Sequence, residues 1–458
     1  MACGVATIVI AVGAYRSLEE TRSVFYDRYR FANVFAAATR APLHLRERLT
    51  SVGGVSGIEL RVVRPVLLDI IGMAEPATGV AVSIPDRGEP AVNRLYLRTG
   101  RLPEPGRAGE VAVTEPFAAA HGMQPGSRFD AILNGRKMTL TVTAIVLSPE
   151  YIYAMGPGVM LRSAMEGLFD MKGAFNDVAI RTQRGVETAA VIDAVDAVLK
   201  PYGGTGAHER ADQMSHAFLD NELTQLRGMA MVIPPVFLFV AAFLVNMILS
   251  RLIALEREQI GLLKAVGYGP TAIAWHYAKL TLAIGAIGVV IGAAAGNWTG
   301  RAMTRLYGEV FSFPFLVFRQ SLDLYAIAAG ATALAALAGA ARAIFSVVAL
   351  PAAVAMQPPA PTRYRSVLSG KGGRLKMFSQ LTIMALRHLV RWPVRTLLTA
   401  FGTSLSVALL VTALFSTDSI DYMIDAVFFR AERQDATLSF AQGLSPRALQ
   451  SVAATPGV

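Results

Sequence analysis

Three stretches of this chain hold residues of types that do chemistry elsewhere. His208-Glu-Arg-Ala-Asp212 starts as a zinc-peptidase helix does, with a histidine followed by a glutamate that would activate a metal-bound water. The pattern breaks at Asp212, which stands where the second histidine is needed. His216 lies further on and would need ligands from elsewhere, so the histidines read as solvated or hydrogen-bonded. Ser369-Gly-Lys-Gly-Gly373 resembles part of a phosphate loop, but Arg365 occupies the place of the leading glycine. Gly372 stands where a Ser or Thr would hold magnesium, and no strand precedes the segment. It reads as a flexible basic linker. The third stretch, Glu256–Gly267, works by contact and makes no bonds. Glu256 to Val266 predicts a short amphipathic helix with Ile260, Leu263 and Val266 on one side and Glu256, Arg257 and Lys264 supplying charge. Gly267, Gly269 and Pro270 end it. Such a helix suits docking into a partner's groove.

The elements that position this helix are apolar. The chain has 458 residues, 53% hydrophobic and only 17% charged, and its mean hydropathy of +0.44 points to a membrane protein. One cysteine, Cys3, excludes a disulfide framework and a cysteine-based zinc site. The net charge of +10 raises nucleic-acid binding. Its distribution excludes that reading: acidic and basic residues balance between 17 and 228, and the excess sits near the apolar spans.

Four stretches are long enough to cross a bilayer as helices: Met229–Ser250, Leu280–Gly300, Asp323–Ala341 and Thr396–Ser416. Ala2–Tyr15 is apolar but too short alone, and reads as a membrane helix whose beginning is missing. Between Pro351 and Arg395 stand Arg363, Arg365, Lys371, Arg374, Lys376, Arg387, Arg391 and Arg395, with no acidic residue. That segment is expected in the cytoplasm. Counting spans backward puts 251–279 there too and places 17–228 outside. The loop 301–322, rich in phenylalanine, is expected in the outer interface.

The outer region 17–228 mixes strands and helices. Glu110–Thr114 and Val178–Arg181 read as strands, Phe117–His121 and Val186–Leu199 as helices. Phe129–Leu133 and Lys137–Val146 flank Asn134-Gly135, a hairpin signal. Ser215–Arg227, with Phe218, Leu219, Leu223 and Leu226 at helical spacing, predicts a stalk continuous with the next span. No Ser-His-Asp arrangement emerges from residue order, and no nucleophile, metal or phosphate motif supports an enzyme. In the third span Gly288, Gly292, Gly296 and Gly300 recur every four residues, which permits close helix packing. The Ala- and Gly-rich fourth span is the expected partner. No charged residue lies mid-span, so ion-coupled transport lacks its usual residues.

The string EREQIGLLKAVG at Glu256–Gly267 resembles the coupling loop of the FtsX-like (MacB-like) ABC permease family, with Gln259 where a charged residue is often seen. GEVAVTEPFAAAHGMQPGSRFDAIL at Gly109–Leu133 resembles the family's outer core domain, and LPAAVAMQPPAPTRYR at Leu350–Arg365 is similar to its exit from the fourth span. The resemblance implies an α-helical transmembrane bundle with a large α+β extracytoplasmic domain of the MacB-like periplasmic core type. It implies a first helix over 1–16, the outer domain and stalk over 17–228, and spans at 229–250, 280–300 and 323–341. A coupling loop at 251–279, an outer loop at 301–322 and a basic linker at 342–395 complete the module. A second module would begin with a span at 396–416 and the start of a second extracytoplasmic domain over 417–458.

The resemblance further implies a bacterial inner-membrane location and a separate ABC ATPase subunit docking on Glu256, Glu258, Ile260, Leu263 and Lys264. This chain would have no cofactor of its own, because ATP and Mg would be bound by that partner. The function implied is export or extraction of an amphiphilic substrate (lipid, lipoprotein, peptide or drug) by mechanotransmission, with a periplasmic adaptor or the lipophilic substrate as a further partner. The alternative is a force-transmitter that regulates an outer partner such as a cell-wall hydrolase without transport. Finally, Arg30–Val55 and Arg433–Val458 resemble each other weakly, a register that sets Met1 beside Ser404. A fragment of a two-module permease with parallel repeats is expected.

Overall fold

The computed structural model describes residues 1–70, 72–73, 76–151, 158–316, 321–349, 351–356, 379, 384–385, 389, 393–431 and 445–455. Ser369–Gly373 and most of the basic linker lie outside the described residues. The chain forms two units, Met1–Pro358 and Pro359–Val458.

The first unit opens with helix α1, Ala2–Arg28. The expected boundary at residue 17 therefore falls inside a continuous helix, and the span thought too short is long enough to cross a membrane. The folded head follows. Its first layer is an antiparallel sheet in the order β11-β1-β10-β2, made of β1 (Val34–Pro42), β2 (Val55–Arg61), β10 (Ala174–Thr182) and β11 (Gly204–Glu209). Alternation puts Val34, Ala36, Ile58, Leu60, Val178 and Ile180 on one face, packed with α2 (Leu45–Thr50) and α5 (Thr188–Leu199). Phe35 and Ala179 face the other way, toward the helices that enter the head.

The second layer is built from β3 (Val63–Asp69), β4 (Ala77–Ile84), β5 (Tyr96–Gly100), β6 (Glu110–Thr114), β7 (Arg128–Leu133), β8 (Arg136–Leu147) and β9 (Gly158–Leu161). Its order is β5-β8-β6-β9-β4-β3-β7, and β7 also pairs with β8, which closes the strands into a small barrel. The long β8 makes this possible: its first half pairs with β7 and its last residues with β5, while β6 takes the other edge. The β7–β8 hairpin turns on Asn134 and Gly135, both at positive φ (50° and 76°), the twist that a two-residue hairpin requires. Val66, Val111, Phe117, Phe129, Leu140 and Met160 fill the interior.

The chain leaves the head through α6, Met214–Leu255, a single helix of 42 residues. At 1.5 Å per residue it is about 60 Å long, twice the hydrocarbon thickness of a bilayer, so one end must stand clear of it. Leu219, Leu223 and Leu226 on that projecting part are buried, whereas Phe218 is exposed along one side and touches the Phe311 ring. After the short α7 (Arg257–Ala265) come α8 (Pro270–Val310), α9 (Leu322–Val348) and the one-turn α10 (Ala352–Ala355). Pro270 at the first position of α8, after an extended Gly269, starts that helix cleanly. Both α8 and α9 outrun the spans read from hydropathy: α8 continues as helix at both ends of Leu280–Gly300, and α9 runs past Ala341 to Val348.

Two expectations are corrected here. The glycine row of α8 faces α1 and not the fourth span. A Cβ at Gly288 would lie 2.9 Å from Met1 Cβ, one at Gly296 2.8 Å from Val9 Cβ, and one at Gly292 would collide with the Ala2 carbonyl oxygen. Gly300 is also buried. The helix α9 packs on α8 along another line, near Gly285 and Ala336, and presses its own Gly339 against Ala242 of α6. The second correction concerns the phenylalanine loop. Phe311 and Phe313 are buried among Leu18, Phe25, Leu219, Leu223 and Leu226 between α1 and α6, so they serve as core and not as an interface anchor. Phe318 lies outside the described residues.

In the second unit, a helix Pro393–Ile424 continues as a π-helical turn through Ala431, and a short helix spans Arg447–Ala453. The helix ends Arg28 and Ala431, and likewise Thr50 and Ala453, stand in the register of the sequence repeat.

Among the described residues, five helices are long and apolar enough to cross a membrane. Gly292→Leu is expected to force α1 from α8 and to lower the thermal stability of the detergent-solubilised protein by about 1–3 kcal/mol or more, as overpacking does. Gly330→Leu, at an exposed position where nothing lies within 4 Å of an added Cβ, should be tolerated. Equal loss from both would show that the row does not set the α1–α8 contact.

Candidate coupling surface and its lever

The helix α7 divides the five residues that the sequence nominates for docking. Ile260 is only 3% exposed and joins Leu249, Ile253, Ile273, Tyr277 and Val347 in a core at this end of the bundle. Glu256 accepts a hydrogen bond from the Tyr277 hydroxyl at 2.6 Å. Lys264 turns inward, its Nζ donating to the carbonyls of Val347 at 2.7 Å and Val348 at 3.2 Å. Glu258 and Leu263 remain on the outer surface. The grouping of Ile260 with Leu263 and Val266 on one side is thus corrected: Ile260 points into the bundle and the other two point out. What α7 presents outward is Leu262 (60% exposed), Leu263 (42%), Val266 (72%) and, just beyond, Tyr268 (57%), with Glu258 and Gln259 beside them. Leu262 and Tyr268 are the members that pattern reading missed. A short apolar run such as Ile260–Leu263 has no face until the helix phase is fixed by the core that it packs on.

At the far end of α6 the helices are joined to the head. The chain enters through residues 29–33, between α1 and β1, and leaves through 210–213, between β11 and α6. Every backbone N–H and C=O from Tyr29 to Asn33 is hydrogen-bonded. The amides of Tyr29, Arg30 and Phe31 donate to the last turn of α1, Ala32 donates to Asn93 Oδ1 at 2.8 Å, and Asn33 donates to the Ile180 carbonyl. The carbonyls of Tyr29 and Arg30 accept from the amides of Arg94 and Asn93, and that of Asn33 from the Arg210 amide. Those of Phe31 and Ala32 accept from the Arg210 guanidinium at 2.7 and 2.6 Å. Arg210 also lies over the rings of Tyr26 and Phe31. Arg30 and Asn93 both hold positive φ (52° and 54°), a conformation that side chains adopt only when their surroundings impose it.

The second connection is tied to the first. Gln213 caps α6 by accepting from the His216 amide, and its own amide donates to the Glu150 carbonyl. The Glu150 carboxylate is buried and receives Arg61 on both oxygens and Asn93 Nδ2 at 2.7 Å. Arg61 reaches Asp177 as well, at 2.7 Å from Nε. Burial raises the Asp177 carboxyl, and the Arg61 charge opposes that rise. Burial likewise disfavours the Arg61 charge, but Asp177 and Glu150 outweigh it and hold the guanidinium protonated. The two histidines considered as ligands sit in this joint: His208 stacks on Phe35, and His216 Nδ1 lies 3.0 Å from the Tyr26 hydroxyl. None of Arg61, Asn93, Glu150 or Arg210 announces itself in the sequence, because their partners are distant in the chain.

Residues 231–351 match the family model described as FtsX-like permease C-terminal. No curated protein matches the chain in sequence. Solved structures with similarity include the extracellular domain of the noncanonic ABC-type transporter YknZ from Gram-positive bacteria, at 12% identity and TM-score 0.28, covering 39% of this chain and 98% of that one. The periplasmic region of MacB from Actinobacillus actinomycetemcomitans matches at 11% identity and TM-score 0.28, covering 42% and 94%. A domain of a putative permease from Porphyromonas gingivalis matches at 13% identity and TM-score 0.23, covering 40% and 88%.

Arg61→Met leaves the buried Glu150 and the half-buried Asp177 carboxylates without their cation and is expected to destabilise the head by about 3–5 kcal/mol, the range for breaking a buried ion pair. Calorimetry of the full chain would read it, and an unchanged transition would show that the network is not buried.

Proposed function

We propose that the chain is an FtsX-like permease, the membrane-spanning subunit of an ABC transporter whose ATPase is a separate polypeptide docking on α7; the match of residues 231–351 to the FtsX-like permease C-terminal model supports this reading. The observation that carries this reading is the outward apolar face of Leu262, Leu263, Val266 and Tyr268 on a helix braced from behind. A solvated linker helix has no need of that face, and an apolar patch rimmed by polar groups marks an interaction site. The head stands at the other end of α6. With the basic residues after Pro351 held in the cytoplasm, α7 lies inside the cell and the head outside.

In this reading the ATPase shifts α7, the bundle passes the shift to α1 and α6, and the rigid turns at 29–33 and 210–213 deliver it to the head. The work done there is export or extraction of an amphiphilic substrate by mechanotransmission. The membrane is the bacterial inner membrane.

Leu263→Asp is expected to abolish stimulation of ATP hydrolysis in reconstituted vesicles while leaving the head folded, since a buried carboxylate at the contact would be unpaired. Stimulation that survives Leu263→Asp combined with Val266→Asp overturns the docking assignment.

A further inference from the structure

The signature Ile260-Gly-Leu-Leu-Lys264 has an outward half, already assigned to docking, and an inward half without a role. Gly261 is buried against α10, where an added Cβ would lie 3.0 Å from Ala355 Cβ and 2.8 Å from Met356 Cγ. Ala355 is fully buried. Lys264 donates to the carbonyls of Val347 and Val348 in the last turn of α9, where helical C=O groups lack their i+4 partners. A cation there also meets the negative end of the helix dipole. Arg257 does the same for α10, donating to the Val354 carbonyl at 2.7 Å. Two basic side chains of one short helix thus cap two successive helices, and a glycine between them lets the backbones touch. By contrast, α6 and α7 are joined through a single residue, Glu256.

The other end of α9 reaches the head side. Arg16 of α1 pairs with Asp323 at 2.6 Å and with Ser321 Oγ at 3.2 Å. Leu324 and Ala328 pack on Val5, Ile8 and Val9. Partway along, Asn246 of α6 donates to the Gly339 carbonyl at 2.8 Å. A helix of 27 residues, about 40 Å long, therefore runs from α7 to α1, which continues into the head.

We propose that α7, α10 and the C-terminal end of α9 move as one block, so that a push on α7 is delivered through α9 to α1. Gly261 and Lys264 are positioning residues of this block, not docking residues. The proposal rests on the docking reading above and adds the route that the force takes.

The test uses the permease purified with the ATPase that it retains, in a Cys3→Ser background. Gly261→Cys with Ala355→Cys places two thiols close enough to bond. If the block is rigid, oxidation leaves permease-stimulated ATP hydrolysis unchanged relative to the reduced protein. If α7 slides against α10 during the cycle, oxidation stops stimulation, reduction restores it, and the proposal is overturned. Lys264→Met gives a second reading should the double variant fail to fold. The ATPase should remain bound while stimulation is lost, and Lys264→Arg should restore it. Loss of the ATPase itself from Lys264→Met would make Lys264 a docking residue and refute its positioning role. A wild-type permease that retains no ATPase removes the docking reading and this route together.

Discussion

The head joins the helices that carry it through short connections, and the more constrained of the two is five residues long. Between α1 and β1 the chain changes from helix to strand through Tyr29–Asn33, with every backbone polar group paired. Surface connections are in general more mobile than the elements that they join. This one is held by Arg210, Asn93 and the neighbouring strand. Arg210 belongs to the return connection, so the way in and the way out of the head are bonded to each other. Because β1 and β11 are adjacent in the sheet, the two helices that carry the head are rooted side by side on one rigid layer.

The buried charges of Arg61 and Glu150, with Asp177 beside them, extend this joint into the head. A buried ion pair contributes little net stability against an apolar alternative of the same shape. Its value here is geometric: bidentate pairing fixes the chain near Glu150 against β2, and the Glu150 carbonyl in turn holds Gln213 at the start of α6. The barrel and the sheet are tied to the stalk through the same few side chains.

Within the bundle, close approach replaces the hydrophobic effect as the organising force, since lipid offers apolar side chains an equal environment. Gly288, Gly292 and Gly296 bring α8 onto α1, and Gly339 brings α9 onto α6. The aromatic cluster around Phe311 and Phe313 then fills the space where α1 and α6 diverge from the bundle toward the head.

The sequence by itself determined the kind of molecule: apolar runs of helical length, the Asn134-Gly135 hairpin, the stalk leucines, the amphipathic segment at 256–267 and the spacing of the α8 glycines are all local patterns, and local geometry is enough to read them. It did not determine which helix the glycines meet, because a small-residue row specifies closeness and not a partner. Nor did it set the phase of α7, which follows from Ile260, Gly261 and Lys264 finding places on α9 and α10, distant in sequence. The length of α1 was hidden because its polar second half, from Arg16 onward, is helical through contacts with α6 and the Phe311 loop and not through hydropathy. The joint of Arg61, Asn93, Glu150 and Arg210 was invisible for the same reason. A buried charge is tolerated only where the fold supplies its partner, and only the tertiary structure brings those partners together.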